Sequence, residues 1–478
     1  MAEEDSSKLH IAMFPWLAFG HMNPFLELAK LIAQKGHKIS FISTPRNIDR
    51  LPKLPPSLSS SIHFIKLPLP QVENLSENAE ATTDLPLEKV PYLKIAFDGL
   101  QNPMAKFLET SSPDWLVFDF APHWLPPLAH NLGIPSAYFC TFTASALAQM
   151  KPSSPLMAHI QDDRSKPEDL TKPPKWIPFP NAFAFRIFEI QRFFDAITGV
   201  GNDDSEPSDI YRSEQVIQHC DAIFVRSSRE WEPEYLDLLH QLHYKPIIPT
   251  GQLPPVAYYN NYEDDDEDEG SWKPIKGWLD KQERGSVVYV AFGSEADPSE
   301  EELTEIALGL ELSGLPFFWV LRTRPGAIIE LPDGFEDRTK GRGVVWKTWA
   351  PQVKILAHES VGGFLSHAGW SSVVEAITFQ RPLILLTFLF DQGLNARVLE
   401  EQKMGYAIPR DDIDGTFTRD SVAESLRLVV VEKAGQVYRD NVKKMKGVFG
   451  DPEIQGRYVD QLLNFLATNK NLVSHPRP

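Results

Sequence analysis

Cysteine is almost missing from this chain: Cys140 and Cys220 are the only two in 478 residues. Two are too few for a disulfide framework or a cysteine-rich metal site, and they fit a reducing compartment. Long apolar runs are missing as well. The first, Leu9 to Leu17, is short and broken by His10 and Pro15. No stretch approaches the roughly 20 apolar residues of a membrane span. The start, Met-Ala-Glu-Glu-Asp-Ser-Ser-Lys, has neither the basic residues nor the apolar region of a signal peptide, so a cytoplasmic location is expected. Positive charge is scarce: 47 Lys and Arg against 65 Asp and Glu leave a formal charge of -18. A nucleic acid would be repelled overall and is not an expected partner, although a local positive pocket can still hold a small anion. Finally, no Gly-x-Gly-x-x-Gly follows the first apolar run, where Phe19-Gly-His-Met-Asn-Pro stands instead. That counts heavily against a nicotinamide oxidoreductase.

What is present is ordinary globular composition, 42% hydrophobic and 23% charged, at a length that predicts two domains. Short β-rich runs alternate with amphipathic stretches. Strands are predicted at Ile11 to Trp16, Lys38 to Ser43, Ile62 to Leu67, Leu116 to Asp119 and Ser136 to Phe139. A helix from Pro24 to Lys35 carries Phe25, Leu28, Leu31 and Ile32 on one stripe and stops at Gly36. The pattern breaks near 250, and Asn260 to Gly270 holds seven Asp and Glu residues, a solvated linker in composition. It then restarts, with strands at Ser286 to Phe292, Phe317 to Leu321, Gly343 to Trp346, Gly363 to Ser366 and Leu383 to Leu386. Ser299 and Glu302 open the first helix of this half as a capping box. The reading is two α/β halves in tandem with a cleft between them: 1–250, an acidic linker 251–276, 277–455, and a helical tail 456–478 expected to pack back on the first half.

The segment from Trp349 to Gln392 carries the strongest signal. His367 ends a strand, Gly369 opens a turn, and Ser371 and Ser372 begin a helix, whose free amides and dipole suit a pyrophosphate. Trp349 offers a flat face for a nucleobase, Glu375 can accept from two ribose hydroxyls, and Asp391 and Gln392 can hold sugar hydroxyls. With its Trp-Ala-Pro-Gln start, its Ser-His-Ala-Gly-Trp-Ser-Ser centre and its 44-residue span, the segment resembles the signature box of plant UDP-dependent glycosyltransferases. The resemblance implies a GT-B fold, two Rossmann-like domains facing each other across a cleft, and UDP-sugar as co-substrate. It implies that Trp349 and Gln352 bind the nucleoside. It places His367, Trp370, Ser371, Ser372 and Ser294 at the pyrophosphate, Glu375 at the ribose, and Asp391 and Gln392 at the sugar. Three positions depart from the family's usual residues: Ser371 for Asn, Ala368 for Cys, and Gln380-Arg381-Pro382 for Gly-Val-Pro. Arg381 reads as a solvated surface charge.

Sugar transfer to an alcohol needs a base. His21 lies just after the first strand and before the first helix, on the rim where ligands bind, and Asp119 ends another strand on that rim. Both match the family's catalytic His and Asp. His123, expected one turn into the following helix, is the rival base. The implied reaction is a single inverting displacement with no metal and no other cofactor.

In the family that this chain resembles, a final Gln, here Gln392, goes most often with glucose as the donor sugar, so the resemblance implies glucose, with rhamnose as the alternative. Phe14 to His21, Ser43 to Asn47 and Phe118 to Pro127 resemble the branch that extends a sugar already on a flavonoid or terpenoid glycoside, which makes a 1→2 link plausible. Trp16, Phe120, Trp124, Thr143 and Phe390 are the predicted acceptor lining. A monomer is expected. The remaining alternative is a non-catalytic binder of a lipophilic ligand.

Overall fold

Among the described residues thirteen short runs become strands, and they sort into two separate parallel sheets. A computed structural model describes residues 8–472, apart from 158, 163, 165, 182, 199–206, 256–268, 294, 295, 297 and 323–329. The first sheet contains β1 (His10–Phe14), β2 (Lys38–Ser43), β3 (Ile62–Lys66), β4 (Trp115–Phe118), β5 (Ser136–Cys140), β6 (Ala222–Val225) and β7 (Ile247–Pro249), in the order 3-2-1-4-5-6-7. The second contains β8 (Val287–Ala291), β9 (Phe317–Val320), β10 (Gly343–Trp346), β11 (Val361–Ser366), β12 (Leu383–Leu385) and β13 (Gly405–Ala407), in the order 10-9-8-11-12-13.

Helices cover both faces of each sheet, so the central strands are apolar without alternation, as in the fully buried Trp-Leu-Val-Phe of β4. In each sheet the strand order reverses beside its first strand, between β1 and β4 and between β8 and β11. A crevice opens at such a switch point, outside the carboxyl ends of the strands, and ligands of open parallel sheets bind there.

The helix Phe19–Gln34 starts five residues before the predicted Pro24, which lies inside it. His21 is therefore in the first turn of that helix rather than ahead of it. The predicted capping box forms, with Glu302 N–H donating to Ser299 Oγ at 3.2 Å and Ser299 N–H donating to Glu302 Oε2 at 3.0 Å. The terminal helix Pro452–Thr468 packs Val459, Leu462 and Leu466 into the core of the first sheet. Trp115 Nε1 donates to the Leu466 carbonyl at 3.0 Å, tying that helix to β4. Residues 256–268, half of the acidic linker, lie outside the described residues.

Arg381 is corrected. Its guanidinium is partly buried and donates to the carbonyls of Leu356 at 2.7 Å and His358 at 3.0 Å. It closes the end of the helix Gln352–Ala357, where carbonyls lack helical partners. Burial lowers its pKa to about 10.

Candidate active site

Each switch point carries one half of the site. At the first, His21 follows β1 and Asp119 follows β4. The His21 Nδ1 lies 2.8 Å from Asp119 Oδ2. A carboxylate only accepts, so Nδ1 carries the proton and Nε2 becomes the basic nitrogen. Asp119 is itself fixed: Trp16 N–H donates to Oδ2 at 3.2 Å, and Phe120 N–H donates to Oδ1 at 2.7 Å. Thr141 Oγ1 sits 3.3 Å from the same ring nitrogen of His21. Phe120 and Phe142 flank the imidazole, with centroids 5.7 and 5.5 Å away. Asp119 is 2% exposed and His21 14%, so the carboxylate is walled in while the imidazole reaches the cleft.

His123 is placed differently from its expected position. The helix begins at Leu125, so His123 lies in the loop before it. Its Nδ1 is 3.2 Å from Arg212, which also grips Asp98 and donates to the Ala121 carbonyl at 2.9 Å. Burial and Arg212 both lower the pKa of His123. Trp124 joins the same cluster, its Nε1 donating to Asp98 Oδ1 at 3.0 Å. This cluster holds the loop after Asp119 in place.

The second switch point carries the other half. β11 ends at Ser366, and the helix Trp370–Thr378 starts after an extended Gly369. The amides of Trp370, Ser371 and Ser372 thus form its first turn, next to His367. Burial pushes the His367 pKa down to about 4, so its imidazole is neutral at pH 7. Its Nδ1 has no hydrogen-bond partner among the described residues. Gln352 connects the next group: its Nε2 donates to Glu375 Oε2 at 2.7 Å and to Ser372 Oγ at 3.2 Å, while Tyr289 OH donates to its Oε1 at 3.2 Å. Burial raises the Glu375 pKa to about 7. Trp349 is 53% exposed, an unusual state for so large an apolar ring and one suited to stacking. Trp370 is buried against Trp231 and Phe449. Ser294 lies outside the described residues.

Asp391 precedes the helix Gln392–Glu401, and its carboxylate accepts from Asn395 Nδ2 at 2.7 Å. Gln392 Oε1 accepts the backbone N–H groups of Phe388 and Leu389 at 2.8 and 3.0 Å, which turns its amide NH2 into the donor end. Asn395 escaped sequence reasoning. It also donates to the Ala368 carbonyl at 3.0 Å, joining the His367 loop to the Asp391 loop. Ala368 and Phe390, beside His367 and Asp391, hold φ of 65° and 56°. Left-handed backbone at a non-glycine residue is strained, and such strain gathers where a site is over-determined by its surroundings.

The two half-sites face each other. The Cys140 thiol at the end of β5, pushed up to about 12 by burial, feels both Asp119 and Asp391. Arg226, just after β6, donates from Nη1 to Ser371 Oγ at 2.7 Å. Of the predicted acceptor residues, Phe120 and Phe390 are partly exposed, and Trp124 is half-buried in its Asp98 contact. Trp16 is buried, edge-on to Phe97 at 5.2 Å. Thr143 caps the helix Ala144–Leu147 by accepting from Ala146 N–H. Among the described residues no group of three His, Cys, Asp or Glu could hold a metal ion, and no helix is long and apolar enough to cross a membrane.

Residues 271–456 match the family described as UDP-glucoronosyl and UDP-glucosyl transferase. The chain is 55% identical over 472 residues to UDP-glycosyltransferase 91A1 of Arabidopsis thaliana, covering 98% of each protein. It is 42% identical to the soyasaponin III rhamnosyltransferase of Glycine max, covering 97% of this chain and 96% of that protein. Among solved structures, UGT71G1 of Medicago truncatula complexed with UDP-glucose superposes with a TM-score of 0.75 at 23% identity, covering 97% of this chain and 99% of that one. That likeness gives the fold, GT-B.

Proposed function

The chain belongs to the UDP-glycosyltransferase family, and on that premise we propose that it transfers glucose from UDP-glucose to a sugar hydroxyl of a flavonoid or terpenoid glycoside. The observation that carries this reading is the His21–Asp119 pair, 2.8 Å apart at the switch point of the first sheet, whose Arg226 reaches Ser371 at the helix N-terminus of the other, 2.7 Å away. His21 Nε2 removes the proton of the acceptor hydroxyl, and Asp119 stabilises the imidazolium that forms. The oxygen attacks the anomeric carbon from the side opposite UDP, so configuration inverts. UDP leaves toward the amides of Trp370 to Ser372 and His367, fixed donors that need no metal. Trp349 and Gln352 hold the nucleoside, Ser294 adds a phosphate contact, Glu375 holds the ribose, and Asp391 with the Gln392 amide holds the sugar. Trp16, Phe120, Trp124, Thr143 and Phe390 shape the acceptor side.

In this reading residues 1–250 with the tail 456–478 receive the acceptor, and 277–455 hold the donor. One chain supplies both half-sites, so a monomer suffices, and the cytoplasm supplies the UDP-sugar. A UDP-rhamnose donor is the second reading, favoured by the name of the soybean relative.

A UDP-release assay with EDTA present tests this. It crosses UDP-glucose and UDP-rhamnose with flavonoid, diterpene and triterpene glycosides and their aglycones, with products read by mass. A gain of one hexose on glycosides but not aglycones is expected. A gain of one deoxyhexose only with UDP-rhamnose overturns the donor assignment, and loss of transfer in EDTA overturns the metal-free mechanism.

A further inference from the structure

Arg226 is a buried cation, 3% exposed, with no ion-paired carboxylate among the described residues. Its Nε donates to the Gln252 carbonyl at 3.0 Å and its Nη2 to the Leu253 carbonyl at 3.3 Å. The remaining Nη1 crosses from the first half of the chain to Ser371 Oγ on the second, at 2.7 Å. Beyond Ser371, the acidic groups that act on Arg226 are Glu375, one turn along the same helix, and Glu27 of the helix Phe19–Gln34. A buried charge held mainly by neutral acceptors is costly, and an anion nearby would offset that cost.

Ser371 is well suited to pass the charge on. A hydroxyl that accepts from a guanidinium is turned so that its own proton donates elsewhere, and it becomes a stronger donor. Arg226 also lowers the pKa of Glu375, opposing burial and Glu27, while Gln352 lowers it by hydrogen bonding.

We propose that Arg226 is a positioning residue for the donor nucleoside diphosphate: it orients and polarises the Ser371 hydroxyl toward the diphosphate and adds a fixed positive charge on the side of Glu375, one turn along the same helix. The inference rests on the assignment of Ser371 and Glu375 to the donor site under Proposed function. Its consequence is that donor affinity, housed in the second half of the chain, depends on a side chain of the first.

The test is calorimetric titration of the full chain with UDP at several pH values, comparing the natural protein with Arg226→Gln, Arg226→Lys, Ser371→Ala, Glu375→Gln and the double variants. Thermal melts check that each variant is folded. Arg226→Gln should weaken UDP on the order of tenfold, as expected for the loss of one charge-assisted hydrogen bond. Arg226→Lys should recover part of that loss. The pH at which UDP affinity falls by half should move up in Arg226→Gln, because Glu375 loses its cation. The loss should shrink when Ser371→Ala and Glu375→Gln are already present. Full additivity in those double variants, or an unmoved pH profile, would reduce Arg226 to a structural brace and overturn the inference. If Ser371→Ala and Glu375→Gln weaken UDP while Arg226→Gln does not, only the inference falls. If all three leave UDP affinity unchanged, the donor-site assignment falls and takes the inference with it. Should Arg226→Gln not fold, Arg226→Lys and its combination with Ser371→Ala decide the outcome by the same coupling.

Discussion

Arg397 grips Glu189 across the cleft, its Nη2 lying 2.9 Å from one carboxylate oxygen and 3.0 Å from the other. Glu189 sits on the helix Ile187–Thr198 of the first half, and Arg397 sits on the helix after Asp391 in the second. Gly393 makes the contact possible, since a Cβ there would fall 2.5 Å from the carboxylate. The pair is 7% and 13% exposed, so solvent screens it little. Arg397→Met should therefore strand a buried carboxylate, with Thr387 Oγ1 at 3.2 Å among its remaining partners. A loss of about 3–5 kcal/mol is expected in urea melts, the usual result of breaking a buried pair. Replacing both residues by Met should recover most of it. A single-variant loss below about 0.5 kcal/mol would mean that the pair behaves like an exposed one.

The base assignment makes a sharper prediction. His21→Ala should abolish transfer while leaving UDP affinity nearly intact, because the proposed reading puts the imidazole on the acceptor side of the cleft. Asp119→Asn should keep the side chain near its place, since an Asn oxygen at the Oδ1 position can still accept from the Phe120 amide. Its amide NH2, however, would favour the wrong tautomer of His21, and kcat should fall on the order of a thousandfold or more. Steady-state rates beside UDP titrations separate the two effects. Robust turnover by His21→Ala would shift the role to another base, and His123, held against Arg212, is poorly placed for it.

Much of this is legible in the sequence alone, and the reasons differ by element. β2 and β10 fall at the predicted residues, because each is an apolar run framed by turn-forming or charged neighbours. The capping box at Ser299 is a local motif, so it survives without tertiary information. β6, β7 and β13 were missed: four, three and three residues long, they show no period that separates strand from helix. Arg381 was misread because a cation between Gln and Pro looks solvated until the carbonyls of a helix end are brought to it. Arg226 and Asn395 carry no local signal at all. Only the fold brings residue 226 to residue 371, or shows that Asn395 spans from Asp391 to Ala368.

Glu375 predicts a pH effect with opposite signs for stability and binding. Its pKa is raised from 4.5 to about 7 by burial, so between those values the folded chain holds a proton that the unfolded chain has released. Stability contributed by this group therefore falls as pH rises from 4.5 toward 7, and the full cost is present above 7. In the proposed donor site ribose hydroxyls donate to this carboxylate, so UDP affinity should instead rise through pH 7. His367 and His243, both lowered to about 4, are neutral above 6.5 whether folded or unfolded, so they do not obscure a comparison at pH 8. At that pH, Glu375→Gln should raise the melting temperature of the ligand-free protein and weaken UDP. It should also flatten the dependence of UDP affinity on pH. An unchanged slope would place the titrating group elsewhere.

Gly369 offers a test of His367 that leaves the backbone alone. Its φ of -62° and ψ of 133° are open to alanine, so Gly369→Ala brings no conformational strain of its own. Its cost is steric: the new Cβ would lie 2.3 Å from His367 Nε2. The ring cannot retreat freely, because a Cβ on Gly293, whose φ is 76°, would already fall 2.7 Å from the same atom, so that glycine forms the opposite wall. Gly369→Ala should therefore displace the imidazole from the helix N-terminus and raise KM for the UDP-sugar on the order of tenfold, the loss of one good hydrogen bond to a charged group. KM for the acceptor should change little, since His21 and Asp119 lie across the cleft. The decisive comparison is made in His367→Ala, where the obstructed ring is gone and Gly369→Ala should cost almost nothing. An equal cost in both backgrounds would mean that the glycine is required for close approach of the ligand itself, and not for the seat of His367.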